Sequence, residues 1–199
     1  MSQSPEPSPA EGRPRRSDAR RNRDRLVEAA RRALSSGEGS LSLESVAREA
    51  GVGIGTLYRN FANREQLVEA VYEAEVDRLV TRAAELADRM PPREALRSWL
   101  VEFAGFAAAK RGMVEVLGFG AVAGPGALDH TRTLKRIADA ITPMLHAGAQ
   151  EGSLRADVDP QDVVILVAGA LMPVRTDADQ TARLLDLVLD ALHPTRSAA

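Results

Sequence analysis

Residues 41–61 read LSLESVAREAGVGIGTLYRNF, and this stretch decides the fold. Ser42 is a good helix N-cap, and the run that follows, about Leu43 to Ala50, sets Val46, Ala47 and Ala50 on one face. Gly51 then stands where a left-handed residue closes a helix. Val52 is expected to point inward, and a second, short helix runs from about Ile54 to Asn60. Helix, tight glycine turn, inward valine and short helix make the spacing of a helix-turn-helix. A short helix that protrudes fits a DNA major groove about 12 Å wide, and the preceding helix braces it at a steep angle. Val46, Ala47, Val52 and Leu57 are the expected shared core of the pair.

Upstream, residues 1–12 carry three prolines and almost nothing apolar, which predicts disorder. Residues 13–25 hold seven arginines, among them Arg15, Arg16 and Arg20, against two aspartates. Such a run is either a solvated tail or an arm that neutralises phosphates, and its position beside the helix-turn-helix favours the arm. A first helix from about Asp18 to Leu34 repeats Leu26, Ala29, Ala30, Ala33 and Leu34 along one side. Downstream, Asn63 caps a fourth helix, with Gln66 placed for a capping box, and that helix is drawn from Arg64 to Met90.

The rest also reads as helix. Pro92 opens a fifth helix to about Lys110, with Trp99, Phe103 and Phe106 as its apolar stripe. Residues 112–126 are glycine-rich and predict a weak helix or loop. Further helices are expected over Ala127–Glu151, 161–172 and Asp177–Leu192, with Pro173 ending or kinking the second of these. No alternating strand pattern occurs. The expected fold is therefore all-α: a tail with its basic arm over 1–17, a helix-turn-helix domain over 18–64, and a helical domain over 65–199.

Composition narrows the function. The 199 residues are 44% hydrophobic and 27% charged, as in ordinary globular chains. There is no cysteine, and His130, His146 and His193 have no metal-site spacing, so metal, thiol and cofactor chemistry have no motif here. Gly51, Gly53 and Gly55 imitate a phosphate loop, but no strand precedes them and no Lys-Ser/Thr pair follows. No apolar run reaches the roughly 18 residues of a membrane span, and the N-terminus lacks a secretory pattern, so the cytoplasm is the default location. The net charge of −2 hides an asymmetry: residues 1–64 carry 12 arginines against 8 acids, and residues 65–199 carry 14 basic residues against 20 acids. A basic N-terminal part on an acidic body is the layout of a polyanion reader joined to something else.

The pattern Ala47, Glu49, Ala50, Gly51, Val52, Thr56, Leu57, Tyr58, Phe61, followed by Asn63-Arg64-Glu65-Gln66-Leu67, resembles the TetR family of one-component repressors over residues 23–72. Arg64 stands where lysine is usual. The resemblance implies that Thr56 and Tyr58 hold the DNA backbone and that Ile54, at the N-terminal end of the recognition helix, faces base edges. Arg59 and Asn60 follow on that helix, Ser42 and Arg48 lie on the bracing helix, and Arg64 meets a phosphate at the start of helix four. Leu57 and Phe61 are read as core. Tyr58 is either core or a phosphate donor, since a phenol can pack and still donate.

The resemblance also implies a homodimer through the last two helices and a small-molecule pocket among the middle ones. Residues 163–172 are apolar all round, which suits either burial within one subunit or an interface. Pocket candidates are Trp99, Phe103, Phe106, Met113, Leu117, Phe119, His130, Leu134 and Met144, each of which also suits plain core. The expected partners are thus double-stranded DNA, a small-molecule effector and a second copy of the chain. The alternatives are a non-specific architectural DNA binder, which the acidic second half opposes, and a small helical enzyme, for which no catalytic motif is present.

Overall fold

The computed structural model describes residues 12–35, 41–117, 130–172 and 176–194, with backbone only for 12–16 and 130. Among them are eight helices and no strand, and the chain divides into two compact units between Val71 and Tyr72. That boundary falls inside the fourth helix.

In the first unit, α1 spans Gly12–Ser35, so helix begins before Asp18 and takes in part of the stretch read as tail. Arginine is a good helix former, and Pro14 sits in the first turn, where its missing N–H costs nothing. Arg21 also donates back to Asp18 at 2.6 Å. Leu26, Ala29, Ala30 and Leu34 are buried as their spacing requires, while Ala33 is half-buried. Helix α2 spans Leu43–Glu49, and the Ser42 hydroxyl accepts the Ser45 N–H at 3.2 Å. At its other end Gly51 adopts φ 67°. The Gly51 N–H then reaches the Arg48 carbonyl at 3.1 Å, and the Val52 N–H reaches that of Ala47 at 2.9 Å. This paired closure needs the left-handed residue and turns the chain sharply. Helix α3, Ile54–Asn60, follows at once. Val46, Ala47, Leu57 and Phe61 are buried against α1, whereas Val52 is only half-buried.

Helix α4 spans Arg64–Ala87, ending short of Met90. Asn63 Oδ1 accepts the Gln66 N–H at 2.9 Å, but Gln66 Oε1 reaches back to the Ala62 N–H at 3.0 Å, one residue before the cap. Helix α5, Pro92–Leu117, runs past Lys110 and through Gly112, so the expected break does not occur there. Gly112 is buried, and the close packing that burial allows offsets its poor helix propensity. The remainder of the glycine-rich stretch lies outside the described residues, as does Pro173.

Helices α6 (His130–Glu151), α7 (Pro160–Leu171) and α8 (Ala178–Ala191) complete the second unit. Asp159 and Asp177 cap α7 and α8, accepting backbone N–H groups at 2.7 Å. The far ends of both helices are met by arginine: Arg111 donates to the Leu171 carbonyl at 2.5 Å, Arg93 to that of Leu189 at 3.3 Å and Arg155 to that of Ala191 at 3.3 Å. Carbonyls at the ends of these helices thus gain cationic donors.

Candidate nucleic-acid interface

The short helix α3 sorts its side chains by face. Leu57 is wholly buried, yet Tyr58 is 51% and Ile54 39% exposed. Leaving two large side chains partly in water on a seven-residue helix forfeits a fraction of the roughly 1.5–3 kcal/mol that full burial of each would bring. The neighbouring polar groups are partly tied down. Arg59 Nη2 donates to Thr56 Oγ1 at 2.8 Å, and Asn60 Nδ2 donates to the Thr56 carbonyl at 2.8 Å. Asn60 is half-buried, and one of its two amide N–H groups is engaged on its own helix, which leaves Oδ1 and the second N–H. Thr56 is half-buried as well.

On the bracing side, Ser42 is occupied as the cap of α2, and its hydroxyl also donates to Glu44 at 3.2 Å. Arg48 is exposed and touches Ser45 Oγ at 3.4 Å. Arg64 is exposed in the first turn of α4, with no ion pair among the described residues. Arg20 is exposed on α1, whereas Arg15 and Arg16 belong to α1 with side chains outside the description. Ile54, Tyr58 and Arg59 thus share one seven-residue helix, with Arg48 exposed on the helix that braces it.

Sequence reasoning missed Arg23. Its guanidinium lies 4.5 Å from the centre of the Phe61 ring, so this arginine of the basic run also closes the far end of α3. Arg32 pairs with Glu49 at 2.6 Å and ties α1 to α2. The glutamate beside the guanidinium holds Arg32 protonated even more firmly than usual.

In the second unit, Trp99, Phe103, Phe106, Met113 and Met144 are buried, and Leu117 and Leu134 half-buried. Trp99 Nε1 donates to the Leu79 carbonyl at 3.1 Å, which marks it as a core tie. Phe119 lies outside the described residues, and only the backbone of His130 is described. Two further residues emerge. Tyr72 is buried beside Phe106, with ring centroids 5.9 Å apart, and its hydroxyl makes no hydrogen bond among the described residues. A buried group left so costs about 1–3 kcal/mol. Lys110 Nζ stands 5.6 Å from the Tyr72 ring centre. Burial pushes the phenol up and the ammonium down from their ordinary ranges. The signal for Lys110 was present: Trp99, Phe103, Phe106 and Lys110 share one helical face, so a lysine closes an apolar stripe.

No group of three potential metal ligands stands together among the described residues, and no described helix is long and apolar enough to cross a membrane.

A short exposed helix braced behind a glycine turn defines a helix-turn-helix DNA-binding unit, here joined to a second helical unit. Residues 26–71 match the family described as bacterial regulatory proteins, tetR family, and residues 91–194 match the SbtR-like transcriptional regulator C-terminal domain. A TetR transcriptional regulator from Streptomyces coelicolor is 42% identical, with a TM-score of 0.74 over 87% of this chain and 99% of that one. A TetR transcription regulatory protein from Mycobacterium vanbaalenii is 33% identical, with a TM-score of 0.68 over 90% and 99% of the two chains. An HTH-type transcriptional regulator of Staphylococcus aureus is 34% identical over 74 residues, 37% of this chain and 40% of the relative's length. The chain therefore spans less than half of the curated relatives it matches. It belongs to the TetR family of transcriptional regulators, DNA-binding proteins rather than enzymes.

Proposed function

We propose that the protein is a homodimeric repressor of the cytoplasm that holds a near-palindromic operator and releases it when a small molecule binds the second unit. The observation that carries this reading is the exposure of Ile54 and Tyr58 on α3. Tyr58 and Arg64 would grip phosphates, with Thr56, Ser42 and Arg48 beside them. Ile54 and Arg59 would meet base edges, and Asn60 would do so through Oδ1 or its remaining N–H. Arg15, Arg16 and Arg20 would add phosphate contacts from the arm. A single recognition helix makes few contacts, so two copies on two half-sites are needed for specific affinity.

A dimer face is available on the last two helices. Ile165 and Leu166 on α7 and Leu187 on α8 are 54%, 47% and 65% exposed, while Val163, Val164 and Val167 face the core. The apolar run thus has one side inward and one side outward.

Footprinting on genomic fragments tests the reading. One protected near-palindrome is expected, with affinity falling about 10³–10⁵-fold between 50 and 200 mM salt if 6–10 phosphates are neutralised. Uniform coating of every fragment would instead mark an architectural binder.

A further inference from the structure

Tyr72 of α4, Lys110 of α5 and Thr133 of α6 bring three polar side chains to one place in an otherwise apolar unit. Tyr72 is 1% and Thr133 6% exposed, and Thr133 flanks the phenol without completing a hydrogen bond of good geometry to its oxygen. Lys110 is half-buried, and no carboxylate among the described residues pairs with it. The acids nearest along α4 are used elsewhere: Arg136 of α6 donates to Glu73 at 3.0 Å and also to Asp77. The ammonium has an aromatic face as its neighbour, and the phenol O–H has only the poorly placed Thr133 hydroxyl beside it.

A buried donor without an acceptor beside an unpaired cation is a half-made anion site. One carboxylate would answer both, accepting from the Tyr72 hydroxyl through one oxygen and from Lys110 Nζ through the other. The surroundings are aromatic: Phe106 lies beside Tyr72, and Phe103 beside Phe106 at 5.6 Å. We propose that Tyr72 and Lys110 form the polar end of the effector site, and that the effector is a small carboxylate on an apolar, ring-bearing body. This rests on reading the second unit as an effector domain.

The test uses the full chain, alone and on its footprinted operator. The probes are benzoate, phenylacetate, cinnamate and salicylate, each beside its primary amide, with inorganic phosphate as a bare anion. At least one carboxylate is expected to raise Tm and release the operator, its amide acting about tenfold more weakly or worse. Lys110→Met should abolish that response, and Tyr72→Phe should weaken it about tenfold. Both variants should still bind the operator and melt no lower than the parent chain, because each loses an unpaired group. A silent panel overturns the proposal. So do amides equal to their acids, phosphate equal to both, an unaltered Lys110→Met response, or variants that melt well below the parent. If the parent chain binds no operator at all, the reading of the whole protein as a repressor fails instead.

Discussion

Arg23 lays its guanidinium over the Phe61 ring, 4.5 Å from the centre, and so joins α1 to the residue that ends the recognition helix. Phe61 is buried on its other side. Arg23→Ala is expected to cost about 0.5–1 kcal/mol, seen as a lower urea midpoint at unchanged slope. Phe61→Ala should cost about 3–5 kcal/mol, since it empties the small core itself.

The turn before α3 depends on one backbone angle. Gly51 sits at φ 67°, and a β-carbon there would meet Arg25 Nη1 at 3.8 Å, an ordinary contact. The cost of a side chain is therefore conformational and not steric. Gly51→Ala should lose about 1–2 kcal/mol, and Gly51→Asn less, because asparagine tolerates the left-handed region. Chemical denaturation of the two variants side by side measures the difference.

Contacts to phosphate and to bases separate by their response to sequence. Tyr58→Ala and Arg64→Ala should weaken operator and random DNA alike, and Arg64→Ala should reduce the salt slope by about one. Arg59→Ala should shift preference across a randomised operator library. Asn60→Ala should shift it less, since one N–H of its Nδ2 is already spent on the Thr56 carbonyl. Equal losses on operator and random DNA for all four would contradict these roles.

The helix-turn-helix was readable because local chemistry settles it: Ser42 must cap, Gly51 must turn left-handed and Leu57 must face in, whatever the rest of the chain does. Helix ends were less readable where propensity and packing compete. Gly112 reads as a breaker, yet it is buried within α5. The turn of the Asn60 amide back onto its own helix was not legible either, because its bond to Thr56 depends on a rotamer rather than on spacing. Tyr72 and Lys110 escaped for a related reason. Each looks ordinary alone, and only the packing of α4 beside α5 shows that Lys110 finds no carboxylate and Tyr72 no well-placed acceptor among the described residues.

Acid should loosen the turn that leads into α7. Arg155 grips Asp157 through two bonds of 2.7 Å, which lowers the carboxyl from 3.8 to about 2. The same arginine donates to the Ala191 carbonyl, and its backbone N–H donates to that of Leu192 at 2.9 Å. A depressed carboxyl pKa stabilises the fold fully above about 3.8, and the gain fades as pH falls toward 2. Asp157→Asn is expected to flatten the dependence of Tm on pH across that window and to leave it unchanged near neutrality.

Leu187 offers the cleanest test of subunit pairing. It is the most exposed large apolar residue described, at 65%, and Ile165 and Leu166 carry the exposed apolar surface of α7. Burying such a side chain against a second copy is worth about 1.5–3 kcal/mol, and a two-fold interface counts each position twice. Leu187→Glu would place two carboxylates in that interface while adding only a solvated charge to the single chain. Sedimentation should then find monomers at micromolar concentration with helix content unchanged and a urea midpoint lowered only by the lost association. Operator affinity should fall toward that for a half-site, because the two reading heads no longer arrive together. A variant that still sediments as a dimer would move the interface off α7 and α8.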